Sequence, residues 1–98
     1  MEKIILHVTY HCPRATAEAF IGEMERSGVH EAVLHEDGCE RYEYFFPAAG
    51  DGFFLVEQWR DAEALAKHSC SAPMAALKKI KAGYEIETVI EKYKAERL

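Results

Sequence analysis

The stretch "FFLVEQWRDAEALAKHSC", residues 53–70, changes its hydrophobic period partway along. Phe53 to Val56 are apolar at both parities, which reads as a strand running to Trp59. Asp61 then caps a helix expected to turn Leu65 and Ala66 inward. Three side chains here can carry chemistry: Glu57, Trp59 and His68. By the two-residue period of a strand, Glu57 shares a face with Phe53, Leu55 and Trp59. A carboxylate among such neighbours must find a partner or raise its pKa. It can orient His68 or pair with Arg41 or Arg60, and structural pairing is the expectation. Trp59 reads as a core indole that can also wall a pocket. His68 can act as a proton acceptor near neutral pH, or it can simply close a helix end by interacting with the helix dipole.

The same reading extends outward. "KIILHVTY" (3–10) is a β-branched, aromatic strand ended by Pro13. From Ala15 to Ser27, Ala17, Phe20, Ile21 and Met24 make one face of a helix, and Gly28 suits the position just past its end. "HEDGCERYEYFF" (35–46) is a turn followed by a strand whose Tyr42, Tyr44 and Phe46 lie opposite Arg41, Glu43 and Phe45. "PAAGDG" (47–52) closes a hairpin with the strand at 53–59. Ser71 and Pro73 begin a further helix with the stripe Met74, Leu77 and Ile80, stopped by Gly83. "YEIETVIEKY" (84–93) is the last strand. The predicted order, strand, helix, strand, strand, helix pair, strand, is a ferredoxin-like split βαβ, an α+β fold with a four-stranded antiparallel sheet and helices on one face. The middle strands are apolar on both faces, yet helices cover only one. That predicts a homodimer in which a second subunit's sheet covers the other.

Ninety-eight residues make one small domain spanning 1–98, whose modest core also favours a partner subunit. Apolar content of 49% with 30% charged residues is ordinary globular composition. A net charge of −5 argues against binding nucleic acid, and Lys78, Lys79 and Lys81 read as a solvated helix face. No apolar run approaches the length of a membrane span, and "MEKIILHVTY" leads straight into a strand rather than a signal peptide. A cytoplasmic protein without membrane contact is the expectation. Cys12, Cys39 and Cys70 are too few and too far apart for a disulfide framework. Together with His11 and His68 they show no metal-ligand spacing, so reduced thiols and no metal are expected.

Two motifs carry a family resemblance. Glu36, Gly38, Cys39 and Tyr42 fit "E-x-G-C-x-x-Y", and Glu57, Trp59, Asp61, Ala64, Leu65 and His68 fit "E-x-W-x-D-x-x-A-L-x-x-H". Over residues 35–74, and in element order throughout, the chain resembles the antibiotic biosynthesis monooxygenase (ABM) domain family, in its quinol-monooxygenase-like form. The resemblance implies a dimeric α/β barrel with a pocket between sheet and helices. Some members oxidise quinol-like or polycyclic aromatic compounds with molecular oxygen and without metal or flavin. Others degrade haem, and similar proteins isomerise or process small metabolites, so the fold alone leaves the reaction open. The haem-degrading relatives use an Asn–Trp–His constellation, whereas this chain has no asparagine and places Met74, Leu77 and Lys78 where a haem-ligating histidine would fall. That chemistry is not expected.

The resemblance points to His68 as the catalytic base and to an aromatic or quinone-like ligand, with no cofactor. Substrate contacts are expected from Trp59, Glu57, Tyr42, Tyr44, Tyr84, Met74 and His7. His7 faces the pocket or the dimer, depending on which side of the first strand is core. Two alternatives stand beside the oxygenase: an isomerase or processing enzyme for a small carbonyl or signal metabolite, and a non-catalytic small-molecule-binding dimer.

Overall fold

A computed structural model describes residues 2–98 of the chain. Its elements are β1 (Lys3–His11), α1 (Arg14–Arg26), α2 (Val29–Leu34), β2 (Cys39–Phe45), β3 (Phe53–Trp59), α3 (Ala62–Ser69), α4 (Ala72–Lys81) and β4 (Glu87–Ala95). The strands form one antiparallel sheet in the order β2-β3-β1-β4. This is the expected ferredoxin-like α+β arrangement.

β1 shows why the sheet forms where it does. Ile4, Leu6, Val8 and Tyr10 are buried, while Ile5, His7 and Thr9 between them are half-exposed. Directly opposed residues of antiparallel strands share a face. The buried residues of β1 therefore align with Phe53, Leu55, Glu57 and Trp59 of β3, and through those with Tyr42 and Tyr44 of β2. Against this face pack Ala17, Phe20 and Met24 of α1, Val29 and Val33 of α2, Ala64 of α3 and Leu77 of α4. The opposite face carries Ile5, His7, Val56, Phe45, Phe54, Val89 and Tyr93. There Phe45, Phe54, Val89 and Tyr93 are 39–46% exposed, an apolar band that no helix among the described residues covers.

Three details differ from the sequence expectation. Gly28, with φ +79°, does not end the helical region but turns the chain into α2, whose Val29 and Val33 are one turn apart and buried. As expected, residues 35–38 turn into β2, the Cys39 amide donating to the Glu36 carbonyl at 3.1 Å, and β2 begins at Cys39. β4 begins at Glu87 rather than residue 84, because the Tyr84 amide closes a turn on the Lys81 carbonyl at 3.0 Å. In α3 the inward residues are Ala64 and His68, one turn apart; Leu65 is half-buried and Ala66 is exposed. Asp61 caps α3 as expected, its Oδ1 accepting from the Ala64 amide at 2.9 Å.

Candidate functional site

The two sequence motifs meet in space. Glu57 and Trp59 stand two residues apart on the core face of β3, and both are buried. Side chains so placed lie side by side, and the Trp59 Nε1–H donates to Glu57 Oε1 at 3.0 Å. That indole is the partner the carboxylate needs. Neither arginine serves, since Arg60 forks onto Asp37 at 3.1 and 3.2 Å and Arg41 pairs with Glu43 at 3.2 Å. Burial is the main force on Glu57 and holds its pKa above the ordinary carboxylate value, against the opposing pull of the Trp59 hydrogen bond and His68.

His68 is directed inward by the periodicity of α3 and is only 4% exposed. Its ring stacks on Trp59 with centroids 4.5 Å apart and planes 28° from parallel. Nδ1 donates to Glu36 Oε2 at 2.8 Å, which leaves Nε2 facing Glu57 Oε1 at 4.0 Å, beyond hydrogen-bonding distance. The arrangement is a buried imidazole fixed in direction and tautomer by one carboxylate and overlooked by a second. Chemically it can hold a proton on one nitrogen while the other exchanges one.

Gly38 explains how Glu36 comes within reach. Its φ of +82° and the absence of a Cβ let the turn lie against α3, where an added Cβ would collide with the Ala64 Cβ. The Gly38 carbonyl also accepts from the Arg60 amide at 2.8 Å. The neighbouring Cys39 is pushed by burial up to about 11, far from thiolate character at neutral pH.

From His68 a row of rings continues along the core. Tyr42, 1% exposed, lies 6.3 Å from His68, centroid to centroid. His30 of α2 lies 5.4 Å from Tyr42 and 5.1 Å from Tyr44. Burial raises the pKa of both tyrosines, so their hydroxyls stay protonated, and it lowers that of His30, so its imidazole is held neutral. His30 Nδ1 and the Tyr44 hydroxyl are both closed off from solvent and have no hydrogen-bond partner.

The structure thus brings together His68, Trp59, Glu57 and Tyr42, with Tyr44 one ring further on. Met74 is half-buried at the start of α4 and is linked to His68 through Ser71, which donates to the His68 carbonyl at 2.7 Å and accepts from the Met74 amide at 3.2 Å. Tyr84 lies apart, its hydroxyl donating to Glu23 at 2.6 Å and its ring edge-on to Phe20. His7 lies on the uncovered face of the sheet, between Phe54 and Tyr93 at 5.9 and 5.4 Å. Reading the sequence did not reveal Glu36 as the partner of His68 or His30 as a member of the ring row. Glu36 is 32 residues from His68, and His30 sits on the unforeseen α2.

A cavity of about 340 Å³ opens at the far end of β3, walled by Tyr10, Phe45, Phe46, Phe53 and Phe54. A smaller one of about 170 Å³ lies by Lys3, Ile5, Gln58 and residues 95–97. Neither is lined by Trp59 or His68. Among the described residues, no three His, Cys, Asp or Glu side chains are grouped to hold a metal ion. No helix of these residues is long and apolar enough to cross a membrane.

Residues 4–80 match the family described as antibiotic biosynthesis monooxygenase. No curated protein matches the chain. Among solved structures it is similar to a Bacteroides thetaiotaomicron protein of unknown function described as a possible oxidoreductase. The two are 27% identical with a TM-score of 0.83, over 96% of this chain and 98% of that one. A candidate antibiotic biosynthesis monooxygenase from Deinococcus radiodurans is 20% identical with a TM-score of 0.82, over 97% and 94% of the two chains. A Pseudomonas aeruginosa protein is 20% identical with a TM-score of 0.81, over 99% and 97%.

Proposed function

The chain belongs to the antibiotic biosynthesis monooxygenase family, and on that premise we propose that it is a homodimeric oxygenase that oxidises a quinol-like or polyphenolic small molecule with molecular oxygen and without a bound cofactor. The observation that carries the proposal is the buried His68–Glu36 pair stacked against Trp59. Oxygen chemistry of this kind needs a base that removes a phenolic proton, since the resulting electron-rich anion is what reduces oxygen. A histidine whose Nδ1–H is committed to a carboxylate presents Nε2 in a defined direction for that task. Tyr42 and Tyr44, protonated and packed in the adjoining row, supply aromatic walls and hydroxyl donors. Tyr84 is engaged by Glu23 and His7 lies on the other face, so both stand outside this proposed site.

The apolar band on the uncovered face supports the dimer, because sheets with one bare apolar face bury it against another sheet. Glu57, its pKa raised by burial and its carboxylate 4.0 Å from His68, also suits a proton shuttle without oxygen consumption. Oxygen uptake across a series of naphthohydroquinones and polyphenols tests the main reading. Turnover by the wild type that falls by at least about 100-fold in His68→Ala is expected, the usual scale of a lost general base. Equal turnover in that variant removes His68 from the mechanism, and turnover that persists under argon replaces the oxygenase with the proton shuttle.

A further inference from the structure

The rings of His30 and Tyr44 pack on the core, but their polar atoms do nothing for the fold. Tyr44 projects from the core face of β2, and His30 is the second residue of α2, its ring 5.1 Å from that of Tyr44 and tilted by 31°. Two polar atoms on these neighbouring rings, His30 Nδ1 and the Tyr44 hydroxyl, are shut away from water without a well-formed hydrogen bond, although the Tyr42 hydroxyl lies close to that of Tyr44. Each such atom costs stability, so native interiors contain few of them, and two on neighbouring rings call for an explanation. A bare donor is the costlier atom to bury, which places the His30 proton on Nε2 and makes Nδ1 an acceptor. Tyr44 supplies an O–H. An acceptor and a donor on neighbouring rings together complement a group that both donates and accepts, and on an aromatic ligand that group is a hydroxyl.

We propose that His30 and Tyr44 form a two-point anchor for one hydroxyl of a phenolic ligand, Tyr44 donating to its oxygen and His30 Nδ1 accepting from its O–H. The ligand class rests on the oxygenase reading above; the anchor rests on the two unpartnered atoms. Glu25 and Glu31 lie near enough to His30 to oppose the effect of burial on it, and burial is the stronger influence, which keeps Nδ1 free to accept. His30 is itself only half-buried and sits on a six-residue helix held to the sheet by Val29 and Val33. The proposed anchor requires the His30 side chain to rotate so that Nδ1 is uncovered. The Tyr44 ring then offers a face for the ligand's aromatic body, with Tyr42 and His68 beyond it in the row. His30 and Tyr44 are therefore positioning groups that set where a phenol lies, leaving proton abstraction to His68.

The test uses full-length protein under argon, so that binding is separated from turnover, with 1,4-naphthohydroquinone as probe and 1,4-dimethoxynaphthalene as the control without hydroxyls. Titration calorimetry is expected to show the hydroquinone binding at least about tenfold tighter than the dimethyl ether. His30→Phe and Tyr44→Phe each keep an aromatic ring in the row and remove one polar atom. Both are expected to melt at or above the wild-type temperature, since they delete an unpaired buried group, and to lose about tenfold in hydroquinone affinity. In oxygen uptake each should raise KM with little change in kcat, the signature of lost uniform binding. Should His30→Phe fail to fold, Tyr44→Phe carries the test alone.

Unchanged affinity in the variants, equal binding of the ether, or no binding by the wild type overturns the anchor. Its failure is separable from that of the oxygenase. Oxygen uptake with an unaltered KM in both variants sinks the anchor and leaves the oxygenase standing. Hydroquinone binding that is lost in the variants, with no oxygen uptake by the wild type, does the reverse.

Discussion

Removing Glu36 tests whether the meeting of the two motifs holds the fold together as well as orienting His68. In Glu36→Ala the His68 Nδ1–H loses a 2.8 Å partner while its ring stays 4% exposed. A buried donor left unpaired costs about 1–3 kcal/mol, and breaking a fully buried ion pair costs about 3–5 kcal/mol. The Glu36 side chain is 15% exposed, so water can partly replace it, and the smaller range applies. We expect a loss of about 2 kcal/mol. For a domain of this size each kcal/mol moves the midpoint by roughly 4–8 °C, which predicts a fall of roughly 8–16 °C. Glu36→Gln keeps an oxygen able to accept from Nδ1 but loses charge assistance, so about half that fall is expected. The assay is thermal unfolding followed by circular dichroism, run as a double-mutant cycle with His68→Phe, which keeps a ring against Trp59. In the His68→Phe background Glu36→Ala should cost little, giving a coupling energy of about 1–2 kcal/mol. Equal losses in both backgrounds, or a Glu36→Ala midpoint within about 2 °C of wild type, would refute the reasoning that this hydrogen bond joins the motifs.

Three further outcomes follow from the same geometry. Gly38→Ala adds a Cβ that collides with Ala64 at a φ of +82°, whereas Gly50→Ala, at φ +95° with nothing within 4 Å, adds only backbone strain. Urea midpoints should therefore fall further for Gly38→Ala, and equal falls would mean that the turn does not press on α3. The Glu57 pKa is raised in the folded state, so its contribution to stability is whole below the ordinary value of 4.5 and is lost as pH rises through the folded value. Glu57→Gln keeps an acceptor for the Trp59 indole and cannot ionise. Its melting temperature relative to wild type should rise between pH 4.5 and pH 8, and a constant difference would exclude a raised pKa. Light scattering at micromolar concentration should give the mass of two chains for the wild type and of one for Phe54→Glu, which places a charge in the exposed apolar band. A one-chain mass for the wild type would dismiss the proposed dimer.

Much of this molecule was legible in its sequence because the signals were local. The β-branched and aromatic run of β1, the Asp61 cap and the stripe of α4 each follow from neighbours within a few residues. The failures share a cause. α2 is six residues long, and two valines one turn apart are too few to declare a helical period. Tyr84 and Ile86 alternate like a strand, yet a turn hydrogen bond and the Glu23 carboxylate hold Tyr84 out of the sheet. The expected arginine partner of Glu57 came from weighing charge alone. The indole two residues along the same strand face was the nearer donor, and that spacing was visible in the sequence. Glu36 and His68, by contrast, meet only after the chain has closed a hairpin and a helix between them.

The way the motifs join also explains why the family is plain and the reaction is not. Glu36 pairs with His68, Asp37 with Arg60, and Gly38 lies against Ala64, so the two motifs are the two sides of one docked junction. Nearly every polar group in that junction is satisfied by another group within it. Residues so engaged report how the domain is built, and they have little bonding capacity left for a ligand apart from Nε2 of His68. The unspent capacity lies outside both motifs, at Tyr44 and His30. Substrate choice in this chain should accordingly follow those two positions more closely than the signature itself. Exchanging them for the residues of a relative is the substitution expected to change the preferred phenol while leaving the junction intact.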